Sequence, residues 1–247
     1  MMLTIRQEQS DQMERTRLLR GRISKLRRTK VTRDFMRTEN QRIATDIGTV
    51  ALGLSGMTAL SVGLAVSAGH SEEEVDKVEF DIDGVHVEGW LWRCPFREND
   101  EVEVVAEQTG AGVTCFAVRR VEDGLIAVYP HCTSGRQAYL KTVFKVCLSF
   151  LLPWIAVSAY LFFVKAQLLT LPQRFFYLGV AALIPALFLL FFAVSGYRKD
   201  RAFIALSEQI FATFGWENPP GINLKKTSKG KRRSTDGSGY GLWIFRR

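Results

Sequence analysis

Three stretches of this chain carry no charged residue over a length that crosses a bilayer, and they constrain the fold more than any other feature. They are residues 47–69 (IGTVALGLSGMTALSVGLAVSAG), 146–164 (VCLSFLLPWIAVSAYLFFV) and 175–197 (FFYLGVAALIPALFLLFFAVSGY). A helix spanning the hydrocarbon needs ~20 apolar residues. The last two are rich in Leu and Phe, and Lys165 and Arg174 bound the loop between them. Pro153 and Pro185 lie inside them, which membrane helices tolerate better than soluble ones do. The alternative is the buried core hairpin of a soluble protein, but a soluble helix this long normally keeps a polar face.

The first stretch is built from small residues. Ala51, Ser55, Ala59, Gly63 and Ser67 recur at every fourth position and so form one stripe of a helix. Small residues let helix backbones approach closely in lipid. The stripe is expected to pack on the hairpin formed by the other two stretches, or on copies of itself in a homo-oligomer.

Charge is segregated around these stretches. Residues 1–45 hold 12 Lys+Arg and 5 acids, residues 71–142 hold 7 and 15, and residues 197–247 hold 11 and 4. Basic flanks stay cytoplasmic. If all three stretches span, the two basic ends lie on opposite sides of the membrane; if the first does not span, both ends and the middle share one face. Hydropathy favours the first arrangement and charge the second. The N-terminus, basic for more than 40 residues before any apolar run, does not read as a secretory signal.

Residues 75–137 read as β. VEFDIDGVHVEGWLW alternates around Asp83-Gly84, a strong hairpin signal. EVEVVAEQ, VTCFAVRR and LIAVY follow, separated by Gly-containing turns. Five short strands suggest a small closed barrel of the SH3 or OB type. The expected fold class is an α+β membrane protein: about three hydrophobic transmembrane helices plus this antiparallel β-barrel-like domain. Its organisation is a basic N-terminal helical segment (1–45), the small-residue helix (46–70), an acidic β domain (71–140), a transmembrane hairpin (143–197), and an amphipathic helix with a basic tail (198–247). Leu19, Ile23 and Leu26 give the N-terminal helix its apolar face. Phe203, Leu206, Ile210 and Phe214 do so near the C-terminus, with Gly215 as the stop.

Few residues suggest chemistry. The β domain is too acidic for phosphate contacts, which argues against nucleic acid as a partner. His86, Cys94, Cys115, His131 and Cys132 could converge on a metal, but zinc sites usually show closely spaced ligand pairs and His131-Cys132 is the only one here, so buried or idle side chains are the favoured reading and no cofactor is expected. His131 and Cys132, as strand neighbours, point to opposite faces. The four cysteines, the fourth being Cys147, do not form a disulfide framework. No G-x-S-x-G, H-E-x-x-H or P-loop occurs, and no enzyme is expected.

GWLWRCPFRENDEVEVVAE (89–107) and LIAVYPHCTSGR (125–136) resemble a bacterial family of type VI secretion system effectors, in which a Gly-Trp-x-Trp-Arg strand and a Tyr-Pro-His-Cys turn follow a Gly/Ala/Ser-rich apolar segment. The residues carrying the resemblance are Gly89, Trp90, Trp92, Arg93, Pro95, Phe96, Tyr129, Pro130, His131, Cys132, Gly135 and Arg136. Asn99 departs from the family, which more often has Gly there. The resemblance implies an effector but supplies no mechanism; the apolar stretches add the expectation that it acts at a bacterial inner membrane, of producer or rival, by insertion and depolarisation. The resemblance also implies a secretion-apparatus, chaperone or immunity protein as partner. The alternative is a non-toxic, membrane-anchored immunity or adaptor protein whose β domain does the binding.

Overall fold

The computed structural model describes residues 16–33, 73–109, 112–165, 168–234, 236–237 and 239–247. They fall into two compact units. The first comprises the chain through Thr133 together with Gln209–Trp216 and Leu224–Arg247; the second comprises Ser134–Glu208 and Glu217–Asn223.

The first unit is built on a closed barrel. Its strands are β1 (Thr16–Arg33), β2 (Glu73–Ile82), β3 (Val85–Leu91), β4 (Glu101–Thr109), β5 (Gly112–Arg120), β6 (Leu125–Val128) and β7 (Ile244–Arg246). β1 is long enough to pair twice, its first part with β4 and its second with β2, both antiparallel. The β2–β3 turn has positive φ at both Asp83 (47°) and Gly84 (86°), as a two-residue hairpin requires. β5 divides its exposed edge. Val113–Cys115 run parallel to Val87–Gly89 of β3 and close a ring of five strands, whereas Ala117–Arg119 pair with β6. β7 then pairs with β6 outside the ring. Alternate residues of the five ring strands, among them Ile23, Phe80, Val87, Leu91, Val104 and Val118, fill the interior.

The barrel therefore differs from the sequence expectation in its membership. LIAVY lies outside the ring as β6, and the missing strand is the basic N-terminal stretch, which is a strand and not a helix. Leu19 and Ile23 are four apart, which satisfies a strand face as well as a helix face. A bulge between Ser24 and Arg27, with Lys25 at φ 54°, then lets Leu26 rejoin the same core. A bulge of this kind shifts side-chain alternation by one residue, so a strand imitates the helical spacing.

The domain is also not acidic once β1 is included. Residues 16–33 and 73–133 together hold 13 Lys+Arg and 14 Asp+Glu. β1, with no acid of its own, lies between two acidic strands. Arg20 pairs with Glu101 at 2.9 Å, Lys25 with Asp81 at 2.8 Å and Lys30 with Glu74 at 2.7 Å. Exposed pairs of this kind add little stability singly, but opposite charges across a ladder select partner and register.

The second unit contains two helices long and apolar enough to cross a membrane. α1 spans Arg136–Tyr160 and continues as a π-helical turn, Leu161–Lys165; α2 spans Leu171–Thr213. α2 runs unbroken through the third apolar stretch and into the expected amphipathic segment, so hairpin and amphipathic helix are not separate elements. Ile204, Ser207, Ile210 and Phe211 are its buried positions near the C-terminal end, Phe214 just beyond it is buried too, and Phe203 and Leu206 are only half-buried. Gly215 (φ 71°) follows the last helical turn. The hairpin surface is greasy on every side: Phe144, Phe150, Trp154, Phe175, Ile184, Phe188 and Phe191 are all exposed. That excludes the buried core hairpin among the described residues. The first apolar stretch, 47–69, and with it Ala51, Ser55, Ala59, Gly63 and Ser67, lies outside the described residues.

Candidate functional site: the motif residues on the barrel

The two halves of the Trp/Tyr-Pro-His-Cys motif meet at the start of β2. Trp92 follows β3 directly, and its indole N–H donates to Glu73 Oε2 at 3.1 Å. His131 Nε2 lies 3.1 Å from the same oxygen, and the Trp92 and His131 rings meet edge-to-face with centroids 5.2 Å apart. His131 stands in a turn with φ 66° rather than in a strand. That turn separates it from Cys132, whose side chain is fully buried.

Arg93 continues the cluster. Its guanidinium donates to Glu74 at 3.0 Å and lies 5.2 Å over the Trp243 ring, so the C-terminal residues complete the site. Hydrogen bonds from Lys30 and then from Arg93 hold the Glu74 carboxyl below its usual range. Buried Asp76 accepts the Cys94 backbone N–H at 2.8 Å, and Arg28 donates to the Cys94 carbonyl at 2.9 Å. Trp90, Trp92, Arg93 and Trp243 all remain partly exposed.

The other motif residues serve the fold. Gly89 sits where the ring closes: a Cβ there would come within 2.5 Å of the Cys115 carbonyl oxygen, so only glycine admits the parallel β3–β5 contact. Phe96 is a core residue, and Pro95 borders a cleft of about 410 Å³ with Arg97, Asp100, Arg120, Asp123 and Asp236. Tyr129 donates its N–H to Phe116 at 2.7 Å and packs its ring edge-on to the Phe116 ring; Pro130 is buried. Asn99 has φ 67°, a left-handed conformation that Gly prefers and Asn tolerates.

Gly135 and Arg136 lie in the helical unit. Gly135 N-caps α1, too close to Pro219 and Pro220 for any side chain, and donates to Ile222 O at 2.9 Å. The Arg136 N–H donates to Glu208 at 2.7 Å. The motif is thus two things: a surface cluster around Glu73, and a set of joints where the backbone packs tightly.

Burial pushes the Cys94 thiol up to about 11 and raises that of Cys115 further. Neither is a thiolate near neutral pH. Among the described residues no three metal-capable side chains converge; His86 instead bonds Asp81 at 2.9 Å, beside Lys25.

Glu73, Glu74 and Trp243 were not legible as site residues. The first two lie in a run of glutamates within the acidic β domain and Trp243 in the basic tail, and no local pattern marks any of them. Compared with family models, with curated proteins and with solved structures, the chain matches none of them.

Proposed function

We propose that this chain is a membrane-anchored binding protein, with the hairpin held in the inner membrane of a bacterium and the barrel displaying a protein-docking surface. The carrying observation is the hairpin itself: two helices apolar all round, with aromatic clusters at both ends. Tyr139 and Tyr197 approach within 6.1 Å at one end, and Phe163 and Phe175 within 5.2 Å at the other. From Tyr139 to Phe163 a helix rises about 36 Å, which matches a ~30 Å hydrocarbon core plus its interfaces. Aromatic residues favour those interfaces.

Exposed apolar helices without a polar stripe suit an anchor better than a pore, because a conducting path needs polar lining. The β unit supports the binding role. Its ring order, β1-β2-β3-β5-β4 with β3 and β5 parallel, fits the OB type among small barrels. Partly exposed Trp90, Trp92, Trp243 and Arg93 are of the residue types enriched at protein interfaces.

The effector reading rests on the sequence resemblance. One experiment separates the two: induction in a sensitive bacterium with a membrane-potential dye, followed by alkaline carbonate extraction. A silent dye with the protein retained in the pellet is expected. Rapid depolarisation would overturn the anchor in favour of the effector, and release into the supernatant would overturn both.

A further inference from the structure

Arg33 and Glu73 are cross-strand partners at the end of the β1–β2 ladder. Antiparallel partners lie about 4.5–5.5 Å apart, so the chain enters residues 34–72 and leaves them at nearly the same point. The described strands on either side belong to one closed barrel, since β1 also pairs with β4 from Thr16 to Arg22. A folded barrel cannot straddle a bilayer with its strands hydrogen-bonded across it. Arg33 and Glu73 therefore lie on the same side of any bilayer that the chain crosses. The residues between them contain one membrane-length apolar run, 47–69. One run cannot cross twice, because each crossing takes ~20 residues.

We infer that the chain crosses the membrane twice, not three times, with the N-terminal strand, the barrel and the C-terminal tail on the cytoplasmic face. This rests on the anchor reading for the hairpin. Chain connectivity supplies the rest. Thr133, just before α1, and Gln209–Thr213, the last residues of α2, belong to the barrel unit. Both outer ends of the hairpin are thus joined directly by the chain to the barrel unit. Those ends carry Arg136, Lys141, Lys145, Arg198, Lys199 and Arg201, against only Lys165 and Arg174 at the tip. Basic flanks stay cytoplasmic, so the tip projects outward. Pairing within the barrel resolves the conflict between hydropathy and charge in favour of charge.

The test is labelling with a membrane-impermeant maleimide in spheroplasts, before and after permeabilisation. The full chain would carry Ser10→Cys, Ser71→Cys, Leu168→Cys or Ser234→Cys, with the wild type as the background for its native thiols. Leu168 is fully exposed at the hairpin tip. Leu168→Cys is expected to react in intact spheroplasts, and the other three only after permeabilisation. Protease protection of an N-terminal epitope tag, which leaves the fold untouched, should give the same side as Ser71→Cys. Ser10→Cys and Ser71→Cys reacting from opposite sides would overturn the two-span topology while leaving the anchor intact. Leu168→Cys sharing a side with all the others would overturn the anchor itself. Leu168→Cys protected with the rest exposed would overturn the cytoplasmic assignment.

Discussion

The indole N–H of Trp154 on α1 donates to the backbone carbonyl of Ala181 on α2 at 2.9 Å. Ala181 lies four residues before Pro185, which has no N–H to offer it. The tryptophan of one helix thus satisfies the carbonyl that the proline of the other leaves open. In hydrocarbon no water can do so, and neighbouring helices must.

Trp154→Phe should therefore weaken the hairpin by about 1 kcal/mol, the scale of an interhelical hydrogen bond in lipid. In a Pro185→Ala background, where the residue 185 N–H can serve Ala181, the same change should cost much less. A double-mutant cycle by SDS unfolding in mixed micelles reads the coupling. Equal costs in both backgrounds would show that the bond does not bear on hairpin stability.

Gly89 faces the carbonyl of Cys115 across the ring closure, with no room for a side chain. Gly89→Val should force β3 from β5 and cost about 2–3 kcal/mol, the overpacking scale, seen as a lowered Tm of the full chain in detergent. Gly84→Ala is the comparison: its Cβ would meet nothing, and its φ of 86° gives it only local backbone strain, so its loss should be smaller.

Arg246 is a buried cation on β7. It donates to Asp236 at 2.7 and 2.9 Å and to Asp123 at 2.9 Å, and also to the carbonyls of Asp123 and Lys231. Arg246→Met leaves the Asp236 carboxylate without its cation and Asp123 with Arg120 alone, and should cost about 3 kcal/mol, as breaking a buried pair does. The hydrogen bond from Arg246 holds the Asp236 carboxyl below its ordinary range. A depressed carboxyl stabilises the fold above its unfolded value of about 3.9, and that stability is lost as pH falls through the folded value. Wild-type Tm should fall below about pH 4 more steeply than that of Arg246→Met; parallel curves would refute the linkage.

Glu73 accepts the Trp92 indole N–H and lies beside His131 Nε2. Glu73→Ala should release the Trp92 indole, shift its emission to the red and lower Tm by about 1 kcal/mol equivalent. Unchanged emission would mean that the cluster is not held through Glu73.

The strands from Glu73 to Val128 were legible because their alternation and their Asp-Gly and Gly-containing turns are local signals. The two membrane-length helices were legible for a like reason, since each is recorded in one uninterrupted run. β1 was not, because its partners lie some 40 to 90 residues away and its bulge gives Leu19, Ile23 and Leu26 a spacing shared by helix and strand. A clue did lie in the charges. A basic stretch without acids and a strand set rich in Glu and Asp are complements, and only the fold reveals that Lys30 faces Glu74 rather than a lipid headgroup. The site followed the same division. Trp92 and His131 were visible as a motif, while Glu73 and Trp243, which join them to the rest, gained meaning only from strand register and from the return of the C-terminus.

Lipid as the solvent of the hairpin is the central claim, and Trp154 reports on it directly. Reconstituted into vesicles of lipids brominated along the acyl chain, the wild type should lose a component of tryptophan emission that Trp154→Phe lacks. The barrel tryptophans should be quenched equally in both. If the difference spectrum is not quenched by acyl-chain bromine but is quenched by aqueous iodide, the hairpin stands in water and the account fails.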